Sequence, residues 1–434
     1  MTRAERVLVV LLGGHRVGTI TEERDDLTLI YDDDYRNSAE ATPLSLSMPL
    51  TSQQHGDRVV RSFMWGLLPD NELVLERWAR TYQVSPRNPF ALLRHVGADC
   101  AGAAQFAPPE DVDALLAGTG GIDWISEAEI GQRLRTLRKD PTAWHLSATG
   151  QFSLAGAQAK TALYFDAGTG RWGDPRGATP TTHIIKPAVT GLDDHDLNEH
   201  ICLQAARMLG LDAASSEIAS FEAERAIVVE RYDRLQKRDG AIQRIHQEDL
   251  CQALGVPPTV KYQNEGGPTP EQIIAFLREQ TQHASATGAS RTIDSFFDAL
   301  AFNWIVAGTD AHAKNYSVLL SGAQVRLAPM YDVASALPYD DMYLPKLKMA
   351  MRIGGEYGVV RVERRHWHRF AEAVGLDPDQ SIQRIDDMAL QVTDAFAGIV
   401  DSESVRFVHS ELPNRLLDRI ASRAGVCRQA LARR

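Results

Sequence analysis

Gly308-Thr309-Asp310-Ala311-His312-Ala313-Lys314-Asn315 decides how the rest of the chain reads. Just before it, Ile293, Phe296, Phe297, Leu300, Ala301, Trp304 and Ile305 recur at steps of three and four, which predicts a helix with one continuous apolar face. Just after it, residues 316–320 read as a strand. A D-x-x-x-x-N pattern delivered by a buried helix can do two things together. The Asp310 carboxylate can accept a hydroxyl proton, and the Asn315 amide oxygen can hold a cation on phosphate groups. Asp332, in Pro329-Met330-Tyr331-Asp332, would give that cation a second oxygen. A sparse oxygen set of this kind suits magnesium, which keeps several waters.

D-x-x-x-x-N is common by chance, so its weight depends on what stands upstream. The spacing is that of the protein-kinase catalytic loop, and two further kinase parts precede it in the right order. Residues 153–161, SLAGAQAKT, are a small-residue loop between two expected strands, where backbone N–H groups can approach phosphate oxygens. It is not a Walker sequence, and taken alone a plain hairpin turn explains it better. Lys186 ends the strand His183-Ile184-Ile185-Lys186 and can pair with nucleotide phosphates; the alternative is a solvated lysine that blunts a sheet edge. Glu199, in the next helix, could hold Lys186 or could be a solvated first-turn residue.

The 434 residues exceed a typical single domain two- to threefold, so two lobes are expected. Composition is that of a water-soluble globular chain, with 44% hydrophobic and 24% charged residues and no apolar run of membrane-spanning length. The net charge of −11 argues against autonomous binding to a phosphate backbone. Cys100, Cys202, Cys251 and Cys427 lack metal-ligand spacing and read as reduced thiols of a cytoplasmic protein. Residues 7–12, 15–20 and 27–31 suggest a β-meander rather than a signal peptide. Pro108-Pro109 and the glycines of 118–121 read as a boundary, followed by a short helix carrying Ile130, Leu134 and Leu137. A helix over 197–209 should stop at Gly210. His366 and His368 stand two apart on a helix that reads as basic and solvated. Residues 401–434 hold seven arginines against four acidic residues, either as an ordinary solvated helix or as a stretch that meets DNA within a larger complex.

SLAGAQAKT, TTHIIK, VVERYDR, QEDLCQALG, VKY…GGP, GTDAHAKNYS and MYD together resemble the HipA family, bacterial serine/threonine kinase toxins of toxin–antitoxin pairs. PLSLSMPL and WGLLPDNELV extend the resemblance into the first hundred residues. Ala311 stands where a glycine is usual and Met330 where an aromatic residue is common; neither change removes a functional group.

The resemblance implies an α+β, bilobed protein-kinase-like fold, with a strand-rich nucleotide lobe, a helical C-terminal lobe and a small mixed N-terminal domain. The expected limits are 1–110 for the N-terminal domain, 111–145 for a linker and short helix, 146–245 for the nucleotide lobe and 246–434 for the catalytic lobe. Asp310 becomes the catalytic base, with Asn315 and Asp332 as magnesium ligands. Ala155, Gly156, Ala157, Gln158, Ala159 and Lys160 become the phosphate loop and Lys186 the phosphate-pairing lysine. Glu230, Arg231 and Tyr232 would meet adenine at the hinge between lobes. His312, Ala313, Lys314 and Tyr331 complete the ATP contacts, and Ser153 is the autophosphorylated serine. The implied substrate is an aminoacyl-tRNA synthetase, best known as the glutamyl enzyme. The implied partner is a helix-turn-helix antitoxin, HipB, through which the protein reaches operator DNA. Two rival readings remain: a catalytically silent corepressor scaffold, and a kinase of small molecules or lipids.

Overall fold

The computed structural model describes residues 6–144, 152–189, 191–282 and 285–433. The chain forms two compact units that interleave in sequence. One comprises Met1–Pro187, Ser220–Thr259 and Val318–Gln324, the other Ala188–Ala219, Val260–Ser317 and Val325–Arg434.

The first unit opens with the expected meander. Strands Arg6–Leu12, His15–Glu23 and Asp26–Tyr31 pair antiparallel in turn, and Ala104–Ala107 pairs along the free side of the first. Leu8, Val10 and Leu12 pack with Phe63, Met64 and Leu67 of the helix Asp57–Leu67. Val9 and Leu11 are covered by Ala107 and Val112 on the other face. Burial on both faces is why 7–12 is an unbroken apolar run rather than an alternating one.

A second antiparallel sheet in this unit runs Glu224–Glu230, His183–Pro187, Thr161–Asp166, Arg171–Gly177, Gly120–Ile125. Its last strand lies inside the stretch expected to be linker. Gly120 answers to close backbone approach, since a Cβ there would stand 2.7 Å from the Arg176 carbonyl oxygen. The helix Glu127–Lys139, opened by a Ser126–Glu129 capping box, buries Ile130, Leu134 and Leu137 as expected. It packs on the strands His183–Pro187 and Glu224–Glu230, so residues 120–139 are structured against this sheet rather than a linker.

Residues 44–48 are pinned to the strand His246–Asp249. His246 Nε2 lies 3.0 Å from the Leu44 carbonyl oxygen, and Leu46 N–H donates to Glu248 Oε1 at 2.8 Å. Burial pushes the Glu248 carboxyl up to about 8. The folded chain therefore prefers protonated Glu248. That stabilisation is complete below the ordinary carboxyl pKa and is lost as pH rises through about 8. Glu248→Gln keeps an acceptor for Leu46 and cannot ionise. It should melt above the wild type near pH ~8.5 and close to it near pH ~5. Parallel melting curves across that range would contradict this assignment.

The second unit is mainly helical. Ile293, Phe296, Phe297, Leu300, Ala301, Trp304 and Ile305 all lie buried on the helix Ala286–Ile305. Trp367 packs edge-on against Phe297 and Trp304, with ring centroids 5.5 and 5.6 Å apart. The helix expected over 197–209 spans His195–Met208, with Gly210 just beyond it. Arg423 fits neither reading of the C-terminal arginines. It is buried, lies over the Trp304 ring and donates through Nη2 to the carbonyls of Trp304 and Val359. Arg406, Arg419, Arg428 and Arg433 form ion pairs with Asp401, Asp340, Asp386 and Glu363. The four cysteines are buried free thiols. Among the described residues no helix is long and apolar enough to cross a membrane.

Candidate active site

The second unit carries Asp310 and its neighbours on the loop that leaves the helix Ala286–Ile305. Gly308 makes the exit, where a Cβ would stand 2.3 Å from Asn303 Oδ1. Asp310 is exposed, and its Oδ1 accepts the Tyr262 hydroxyl at 2.5 Å. Asn315 Nδ2 donates to the Asp310 carbonyl at 2.9 Å, which leaves the Asn315 amide oxygen as the group able to face a cation. His312, Ala313 and Lys314 are buried, so the side chains of this segment support the loop.

Tyr331 joins this loop to Asp332. Its hydroxyl donates to the Lys314 carbonyl at 2.7 Å and so accepts from Ser317 Oγ, also at 2.7 Å. Asp332 is half-buried with φ of 57°, a left-handed conformation that aspartate and asparagine tolerate better than most residues. The chain beyond it is clamped by Asn198. Its Nδ2 donates to the Ser335 carbonyl at 2.8 Å and its Oδ1 accepts from Ser335 N–H at 3.0 Å. Glu199, the residue singled out in the sequence, is buried on the same helix.

Asn315 and Asp332 are hard oxygen donors held in one unit through Tyr331. Among the described residues no group of three or more His, Cys, Asp or Glu side chains could cage a metal. Two protein oxygens fit a magnesium-like ion that draws its remaining ligands from water and phosphate.

The first unit carries the loop, Lys186 and the 230–232 segment. Residues 153–161 are not a hairpin. The strand Phe152–Ser153 pairs parallel to Asp99–Cys100, with Phe152 opposite Asp99 and Ser153 opposite Cys100. Ser153 is fully buried and its Oγ donates to the Leu67 carbonyl at 2.8 Å. Gly156 bridges to Pro69, and its carbonyl accepts from Asp70 N–H. Lys160 Nζ donates to the Ala155 carbonyl at 2.6 Å and lies over the Trp144 ring. Gln158 Nε2 reaches the Pro187 carbonyl at 3.5 Å. Lys186 is buried on a strand flanked on both sides, which removes the solvated-edge reading.

Arg231 is tied into the first unit through both backbone and side chain. Its N–H donates to the Thr182 carbonyl, and its own carbonyl accepts from Arg234 N–H. Its guanidinium bonds Asp233, Thr181 and the Cys100 carbonyl inside a buried cluster with Asp99, Arg234 and Arg244. Its side chain is committed to this cluster, and its N–H is taken by Thr182. Glu230 is exposed at the end of its strand, and the Tyr232 hydroxyl donates to Gln247 Oε1.

The HipA N-terminal domain matches residues 8–107, and the HipA-like C-terminal domain matches 152–396, more than half of the chain. The chain belongs to the HipA family. Y4mE of Sinorhizobium fredii, a provisionally named kinase, is 35% identical over 98% of this chain and 99% of its own. The serine/threonine-protein kinase toxin HipA of Shewanella oneidensis is 28% identical over 90% and 88%. A solved structure of the Shewanella oneidensis HipA, HipB and operator DNA complex aligns with a TM-score of 0.80 at 26% identity, covering 97% of this chain and 99% of that one. The fold is the mixed, kinase-like HipA fold, and the activity is that of a serine/threonine kinase, which uses a nucleotide and a metal.

Two residues beside this candidate site carry no role in the sequence pattern. Asn198 left one signal, a polar residue directly beside Leu197 on a helix that buries Ile201 and Ala205. Tyr262 stood in the VKY…GGP stretch without a role, because it lies far from Asp310 in sequence.

Proposed function

We propose that this protein transfers the γ-phosphoryl group of ATP, with magnesium, to a serine or threonine hydroxyl of a protein, as the toxin half of a toxin–antitoxin pair. The observation that carries this reading is the single bonded unit of Asp310, Asn315, Tyr331 and Asp332. Asp310 accepts the proton of the acceptor hydroxyl. Asn315 and Asp332 would hold the magnesium ion, which when bound neutralises charge on the phosphates. Residues 155–160 and Lys186 are assigned to the phosphates, and Glu230 and Tyr232 to the base. His312, Ala313, Lys314 and Tyr331 shape the loop around the nucleotide. A role for this chain is mainly positioning and electrostatic stabilisation, since phosphoryl transfer asks little covalent help.

The finer assignments rest on family likeness. The substrate class is an aminoacyl-tRNA synthetase, with the glutamyl enzyme first in line. The partner is a HipB-like helix-turn-helix antitoxin, and operator DNA is reached through it, in keeping with the contents of the Shewanella complex. Ser153 is assigned as the autophosphorylated residue. Its burial makes that modification a switch: a phosphate of about −1.5 to −2 charge cannot stay in the space of a hydroxyl bonded to Leu67. The strand Phe152–Ser153 and the loop after it would have to leave their docked place.

The test offers γ-labelled ATP and magnesium to the purified protein, alone and with candidate synthetases, metabolites and lipids, followed by mapping of the labelled residues. Label on serine or threonine of a protein supports this reading. Label confined to small molecules or lipids supports a different kinase class, and no label anywhere supports the silent scaffold.

A further inference from the structure

Residues 260–267 are held against the catalytic loop at three points. Ala313 N–H donates to the Lys261 carbonyl at 3.4 Å. The Tyr262 hydroxyl donates to Asp310 Oδ1 at 2.5 Å, and its ring meets His312 edge-on with centroids 4.8 Å apart. The segment behind the phenol is itself closed. Glu265 and Gly267 N–H both donate to the Tyr262 carbonyl, at 3.0 and 2.9 Å. The buried Gln263 side chain accepts from Arg352 N–H at 2.7 Å, fixing the turn to the strand Lys348–Ile353.

We propose that Tyr262 is the positioning residue of the base: its hydroxyl holds Asp310 Oδ1 and leaves Oδ2 for the acceptor hydroxyl. This rests on the reading of Asp310 as the base. In the step it serves, the acceptor proton passes to Asp310 as the acceptor oxygen bonds the γ-phosphorus, and the bond from that phosphorus to the β–γ bridging oxygen breaks, releasing ADP. An exposed carboxylate with no anchor spreads over several rotamers, and few of them place an oxygen within reach of the acceptor. A phenol suits the task because its ordinary pKa of about 10 keeps it a donor beside a carboxylate. A serine or lysine at 262 would lack either the reach or the rigid ring braced by His312.

The test is a double-variant cycle on full-length protein, measuring steady-state kcat, KM for ATP and single-turnover transfer. Tyr262→Phe removes one oxygen and should leave the melting temperature and KM for ATP unchanged. Its kcat should fall about tenfold to a hundredfold, the scale of a misplaced catalytic group. In an Asp310→Asn background the same change should cost nothing further, because there is no base left to position. An unchanged kcat in Tyr262→Phe, a parallel loss of ATP affinity, or losses that multiply in the double variant would each overturn the proposal. Normal turnover in Asp310→Asn alone would overturn the base reading and this inference together. An inactive Asp310→Asn beside a fully active Tyr262→Phe would sink only the inference.

Discussion

Asp332→Asn is expected to abolish the gain in nucleotide affinity that magnesium confers and to lower turnover at least about a hundredfold. A cation on the phosphates supplies several kcal/mol of charge stabilisation. Asparagine keeps the shape of aspartate and tolerates the left-handed backbone found at this position, where φ is 57°. The change therefore removes charge without adding strain, and Tyr331 can keep its bonds to Lys314 and Ser317. Calorimetric titration of ATP, with magnesium and with a chelator, separates the two contributions. The wild type should bind more tightly with the metal, and the variant should bind alike in both. A variant that still gains affinity from magnesium would remove Asp332 from the metal site.

Asp99→Ala is the substitution expected to cost most stability. Asp99 is buried and accepts from Thr181 N–H, Thr181 Oγ1, Arg234 and Arg244, with Arg231 at 3.4 Å. Burial alone would raise its pKa, but Arg234, Arg231 and Arg244 outweigh burial and hold the carboxyl below the usual carboxylate range. Burial already lowers Arg234 to about 10. Without Asp99, Arg231 and Arg234 would share Asp233 in the interior, and Arg244 would lose its carboxylate. Breaking a buried charge network from one side costs about 3–5 kcal/mol. Urea unfolding should show a loss of that size, and a loss under about 1 kcal/mol would contradict the assignment. Asp99 and Cys100 also pair with Phe152 and Ser153, so the variant should expose the loop after Ser153 to earlier proteolysis.

The Asp310–Asn315 loop of the candidate site was legible because its logic is local. Helical periodicity over 293–305, a glycine exit, D-x-x-x-x-N and a later Asp all lie within short stretches of chain. The helix over Ile130, Leu134 and Leu137 was legible for the same reason, whereas the strand before it was hidden by Gly120, which serves a close approach rather than a loop. Residues 153–161 resembled a hairpin because nothing local announces a two-residue parallel pairing with Asp99–Cys100. The buried cluster around Arg231 was hidden for the same kind of reason: Asp99 and Thr181, two of its partners, are distant in sequence. The helix Arg364–Ala373 read as solvated, yet Trp367 and Phe370 face the core and His366 Nδ1 accepts Glu363 N–H at its start. A dense run of charge masked its apolar stripe. Tyr262 shows the limit most clearly, since only the folded backbone brings it to Asp310.

The central claim is that Asp310 takes the proton of an acceptor hydroxyl while the nucleotide is held by other groups. It is tested most directly by single-turnover transfer from γ-labelled ATP, with ATP affinity measured on the same preparations of wild type and Asp310→Asn. Placing a general base contributes about a hundredfold to ten-thousandfold. The account predicts a loss of at least that size in the transfer rate, with ATP affinity in the presence of magnesium unchanged. Transfer at the wild-type rate by Asp310→Asn would contradict it.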